Sequence, residues 1–198
     1  MICGNPAVIA IESGITEAYE RLSFLALGFF VLHVGGCRYG VHLPNASMLG
    51  CSFGEVEKRI SERGTHTADY AEKFDAGAIA DAFRTERYGD LQQEAYLGIA
   101  AAAFCETFDR DEGGIVWAPD GDEAFDDGSY VLHFDVAHRV RLIAFRTTND
   151  GLHDPETIRD VWVDANEFYN TLRQWRDDFL AEWVNSPKVM DTDGRREV

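Results

Sequence analysis

Apolar residues recur along this chain with two periods. Near its end, Phe168, Leu172, Trp175, Phe179 and Trp183 stand at i, i+4, i+7, i+11 and i+15, a spacing that lays one apolar stripe along a helix. It predicts a helix over 165–183 that buries this stripe against a sheet containing Val140 and Leu142. Asp164 and Glu167 form a capping box at its start, and Ser186-Pro187 stops it. Period two governs Val140, Leu142 and Ala144, which alternate with Arg139, Arg141 and Ile143 as in a half-buried strand. Ser129–Phe134 is its expected antiparallel partner around Asp135–His138. Leu25–Val34, rich in β-branched and aromatic residues and closed by Gly35-Gly36, reads as a strand, with Arg38–Leu43 as its hairpin partner up to Pro44. Ala7–Glu12, Ile115–Trp117 and Val161–Val163 read as shorter strands.

Two further helices are expected. Ser52–Arg63 opens on a Ser52/Glu55 capping-box pattern and stops at Gly64; Asp75–Arg87 takes Asp75 as N-cap, with Ile79, Ala82 and Phe83 on one face, and stops at Gly89. Residues 91–106 are Ala-rich and partly helical, and Asp154-Pro155-Glu156 opens a brief turn. Hairpins mixed with helices, without a repeating βαβ unit, make the class α+β: a mostly antiparallel sheet with several helices packed on it, including a long C-terminal one. One domain is expected over 1–187, with 188–198 a frayed polar tail.

The 198 residues, 45% hydrophobic, suffice for a core without disulfides or a structural metal. A net charge of −17 argues against nucleic acid and anionic membrane as partners, since both demand a basic surface. It suits a basic partner. Cys3, Cys37, Cys51 and Cys105 share no C-x-x-C spacing and read as reduced thiols packed as small hydrophobes. Met1–Pro6 lacks the basic start of a secretory signal, and the longest apolar run, Phe24–Val34, is too short to span a bilayer. A cytoplasmic location follows as the expectation.

No Walker loop, dinucleotide fingerprint, nucleophile elbow or H-E-x-x-H pattern occurs, and no cofactor is implied. Cys37, His42 and Cys51 match no common zinc spacing. His133 and His138 are read as turn or sheet-edge residues. Asp109, Asp111, Gly114 and Asp120 mimic a calcium loop in part, but Gly113 stands where an oxygen ligand is needed. The main signal is acidic. Residues 107–127 hold eight acids against the single base Arg110. Asp120, Asp122, Glu123, Asp126 and Asp127 crowd into one loop, where two charges about 7 Å apart in water repel by ~0.6 kcal/mol. Turn hydrogen bonds, Arg139, Arg141 and Arg146, or a basic partner are the candidates to offset this. Trp117 and Phe125 are expected to anchor the loop, Asp120 and Asp126 to accept turn amides, and Asp122 and Glu123 to point outward.

Three stretches resemble one family. They are the opening MICGNPAVIAIE, the central IVWAPDGDEAFDDGSYVLHFD followed by RVRLIAF, and the closing DVWV with EFYNTLRQW and FLAEW. Together they are similar to the immunity protein 42 family of bacterial polymorphic toxin systems; residues 44–108 carry little of the likeness. The acidic loop followed by strands is also similar to the SUKH group of immunity proteins, with a poorer fit in motif order. The resemblance implies an α+β inhibitor, not an enzyme, that occludes one cognate toxin domain in the cytoplasm, with no catalytic residues to carry over. The acidic loop, Asp120, Asp122, Glu123, Asp126 and Asp127, is then the expected contact zone for a basic toxin, such as a nuclease. A homo-oligomer is compatible with this reading. The alternative from the residues alone is a divalent-metal hydrolase using the carboxylates of loop 120–127.

Overall fold

The structure, a computed structural model, describes residues 1–20, 25–89, 93–108, 110–118, 123–147 and 154–189. The N-terminal half supplies five strands of a six-stranded sheet, whose sixth, β12 (Lys188–Val189), comes from the far end of the chain. Strands β1 (Ile2–Asn5), β2 (Ile9–Tyr19), β3 (Ala26–Val34) and β4 (Cys37–Tyr39) lie in that order, and β5 (Ser47–Met48) adds to β3. Helix α1 (Leu49–Ser61) follows, then α2 (Ala76–Tyr88), a small hairpin of β6 (Ala95–Tyr96) and β7 (Ile99–Ala100), and α3 (Ala101–Glu106). The second sheet has the order β11-β10-β9-β8, from β8 (Val116–Ala118), β9 (Ser129–Val136), β10 (Arg139–Arg146) and β11 (Arg159–Asp164). Helix α4 (Ala165–Asn185) and β12 (Lys188–Val189) close the described chain. Every pairing is antiparallel except β12 on β2. This is the α+β arrangement expected.

Helix α4 takes the phase its stripe demands. Phe168, Leu172, Trp175 and Phe179 are fully buried, in one core with Val140, Leu142, Phe30 and Ile11. Trp183 sits half-buried at the margin, its indole N–H donating to the carbonyls of Tyr19 and Leu25. Asp164 caps the helix by accepting from the amides of Asn166 and Glu167. Asp75 caps α2 in the same way through Ala78 N–H.

Helix α1 departs from expectation. It begins at Leu49, and its N-cap, Met48, offers no side-chain bond. Ser52 is a buried interior residue whose hydroxyl has no partner among the described residues. Pairing of Met48 with Leu27 in the sheet sets the start of this helix, overriding the local capping pattern. Strand β1 is a second departure. It runs through residues expected to precede the first strand, pairing Ile2–Asn5 with Ile9–Glu12.

Strand β10 is not half-buried. Val140, Leu142 and Ala144 face the core under α4, while Ile143 and Phe145 face a second core built on α2, α3, Tyr70 and Phe108. Arg141, expected outside, is 3% exposed. Its guanidinium lies on Asp160 at 2.7 and 2.9 Å and donates to the carbonyls of Ala71 and Phe74. The β9–β10 hairpin turns at Ala137-His138, with Ala137 at φ 53°. The tail expected from residue 188 starts as a strand, because Lys188–Val189 pairs with Ala18–Tyr19. Among the described residues, no helix is long and apolar enough to cross a membrane.

Candidate functional site

The acidic loop is held from beneath. Glu123–Phe125 forms one 3₁₀ turn, and Ala124 and Phe125 are buried in the main core with Trp117. The Phe125 ring meets Phe30 edge-on, with centroids 6.3 Å apart. The Ala124 carbonyl accepts from Val41 N–H at 2.7 Å. Gly40, at φ 109°, passes so close that a Cβ there would stand 2.9 Å from the same oxygen, so the approach requires glycine. Trp117 and Phe125 therefore anchor the loop as expected.

The carboxylates divide unevenly. Asp120 and Asp122 lie outside the described residues. Among the described residues, Asp127 provides a turn bond: its Oδ1 accepts from Ser129 N–H at 3.1 Å, and its Oδ2 lies 3.3 Å from Arg146. Arg146 also donates to the Ser129 hydroxyl and the Arg38 carbonyl, which ties the loop to β4. Among the described residues, Arg146 is the arginine paired with the loop, through Asp127; Arg141 serves Asp160 and Arg139 lies over the Trp162 ring. Glu123 and Asp126 are exposed.

A second constellation escaped the sequence reading. His133, expected at a turn or sheet edge, is fully buried at the centre of β9. Period two places it on the same face as Asp135, toward α4. Arg59 of α1 donates to His133 Nδ1 at 3.3 Å, so the imidazole proton resides on Nε2, which faces Asp135 at 3.6 Å. Tyr169 of α4 donates its hydroxyl to Asp135 at 2.9 Å, and the Gly64 and His66 amides donate to the same carboxylate. Burial, reinforced by Arg59 and His66 and only partly opposed by Asp135, drives His133 down to about 3, so it is neutral. Burial pushes Asp135 the other way, but the bonds from His133, Tyr169 and Gly64 outweigh it and bring Asp135 down to about 2. Burial, with Asp135 alongside, raises Tyr169. The group joins α1, β9 and α4. The available signal was a His and an Asp at i, i+2 within an otherwise apolar strand.

The remaining candidates disperse. His42 leaves Cys37 and Cys51 for Glu12, which accepts from it at 3.1 Å and from His33 at 2.8 Å. Cys3 alone among the cysteines is buried, and Cys51 is exposed. Asp109 and Asp120 of the calcium-like pattern lie outside the described residues, and Gly113 N–H donates to Glu62. Among the described residues, no group of three His, Cys, Asp or Glu is placed to hold a metal ion.

Comparison with known proteins adds two likenesses. A family model described as immunity protein 42 matches residues 1–178. Among solved structures, the crystal structure of CdiI from Burkholderia dolosa AUO158 superposes with a TM-score of 0.54 at 20% identity, covering 92% of this chain and 99% of that one. At that identity the likeness speaks for the fold alone. No curated protein matches the chain significantly.

Proposed function

This chain belongs to the immunity protein 42 family, and from that premise we propose that it binds a cognate bacterial toxin domain in the cytoplasm and neutralises it by stoichiometric occlusion. The match over residues 1–178 carries the reading. The net charge of −17 supports a basic toxin, such as a nuclease, because complementary potentials speed encounter and reject wrong partners. The acidic loop is the proposed contact zone. In it Glu123 and Asp126 stand exposed on a base pinned by Phe125, while Asp127 is engaged by Arg146. Asp120 and Asp122 complete the zone in this proposal.

The test is coexpression with a candidate toxin domain, sought first in the neighbouring gene. The proposal expects survival of the host, a one-to-one complex on sizing with light scattering, and loss of toxin activity in proportion to added protein. Substoichiometric inactivation, or survival without complex formation, would replace occlusion by another mechanism.

A further inference from the structure

We infer that the cleft between α1 and the Gly114–Val116 segment is a binding site for a small oxyanion, a carboxylate or a phosphate. The cleft, about 130 Å³, is lined by Glu55, Lys58, Arg59, His66, Gly114 and Val116. A liquid water occupies roughly 30 Å³, so the space admits several waters or one such group.

Two residues that line it carry a polar atom left over. Arg59 is 2% exposed, yet among the described residues its Nε finds no hydrogen-bond partner. His66 is 1% exposed, and its Nε2 finds none there either. Buried polar atoms are rarely left so. The charge on Arg59 is also poorly matched. Its terminal nitrogens go to neutral acceptors: the carbonyls of Gly114 and Val116 and His133 Nδ1. Its guanidinium lies 5.2 Å from the Trp117 ring centroid. The carboxylate paired with it, Glu55, stands 3.9 Å away and is partly exposed. Two further acids act on Arg59 from farther off, and both are engaged elsewhere. Glu62 accepts from Gly113 N–H, and Asp135 holds Tyr169, Gly64 and His66. A buried cation without a close counter-ion is costly, and burial accordingly lowers Arg59 to about 10. With Lys58 at the rim, the cleft gathers two cations against one acid in a chain of net charge −17, so its local sign opposes that of the molecule.

Oxygen chemistry fits both orphans. An anionic oxygen accepts from Arg59 Nε–H. His66 Nδ1 donates to Gly114 O, so the neutral ring offers Nε2 as an acceptor, which the hydroxyl of monohydrogen phosphate satisfies. A carboxylate has no such hydroxyl and draws a proton onto His66 instead. Carboxylate binding therefore strengthens as pH falls, whereas phosphate binding does so less.

The inference stands apart from the toxin reading, and its test needs no toxin. Sodium acetate and sodium phosphate are titrated into the full chain at matched ionic strength in sodium chloride. The Arg59 Nε–H signal is followed by ¹H–¹⁵N NMR, and melting temperature in parallel. A saturable shift with either anion, weakened about tenfold by Lys58→Glu through charge reversal at the rim, is expected. Lys58 lies in the last turn of α1, where charge reversal opposes the helix dipole, so the anion effect is read against the variant's own anion-free melting temperature. Tighter acetate marks a seat for a partner's acidic side chain; tighter phosphate marks a free anion site. If neither anion gives a saturable change beyond chloride, or Lys58→Glu binds as the parent does, the cleft holds only water and the inference fails.

Discussion

Single residues in this protein act through what surrounds them. Trp175 donates its indole N–H to Ser13 at 2.9 Å, stacks on Phe179 and meets Phe30 edge-on. Its truncation to alanine removes a fully buried indole and should cost about 3–5 kcal/mol by urea denaturation. A loss below about 1 kcal/mol would mean the helix packs in another phase. His133, together with His66, which burial also lowers, sets the pH dependence. The native value of His133, about 3, lies below its ordinary 6.5, so in that interval the unfolded chain binds the proton and the native chain does not. Stability is then full above pH 6.5 and falls as pH drops toward 3. Asp135, lowered to about 2 from 3.8, extends the loss in the same direction below pH 4. Unfolding midpoints measured from pH 7 to 4 should decline in the parent protein. They should decline less steeply in His133→Asn, whose amide keeps an acceptor for Arg59 but does not titrate, with the remaining slope carried by His66, which burial also lowers.

At the level of elements, caps and anchors separate what holds the chain from what it presents. Asp164 satisfies two amides at the start of α4, so Asp164→Ala should destabilise by about 1 kcal/mol. Ser52→Ala should not cost a cap, since Ser52 lies inside α1; a loss as large as that at Asp164 would restore the capping role read from the sequence. The acidic loop offers a sharper contrast. Phe125 is 5% exposed within the core, and Phe125→Ala should lower stability by about 3 kcal/mol. Replacing Asp122 and Glu123 together by Lys relieves repulsion in the loop. Melting temperature should stay level or rise slightly. Unfolding of that double variant would show that the loop carboxylates support the fold.

For the whole molecule, the expected reader of its charge is the association rate. The double-Lys variant should bind a basic toxin more slowly, with the largest deficit at low salt, where screening is weakest. Stopped-flow traces at two salt concentrations check this. Equal rates at both would move the contact zone off the loop, toward residues 44–108. The two cores share the second sheet, with β9 and β10 contributing side chains to each. Variants on either face of these strands should therefore unfold both cores in one transition.

The elements legible in the sequence are those whose cause is local. The stripe of α4, the caps at Asp75 and Asp164, and the β9–β10 hairpin each rest on spacing or on side chain-to-backbone bonds a few residues apart. The acidic loop and its aromatic anchors were legible for the same reason: a cluster of like charges beside large apolar residues is visible in one dimension. What lies on the far side of an element was not. Arg141 and Ile143 look solvent-facing until a second core covers that face of β10. The start of α1 was decided by a strand pairing with Leu27. The Arg59 network joins residues as far apart as Arg59 and Val116, or Tyr169 and Asp135. Period and composition report how a residue relates to its neighbours in the chain. Burial of a charge depends on which distant segments close over it, and only the tertiary structure decides that.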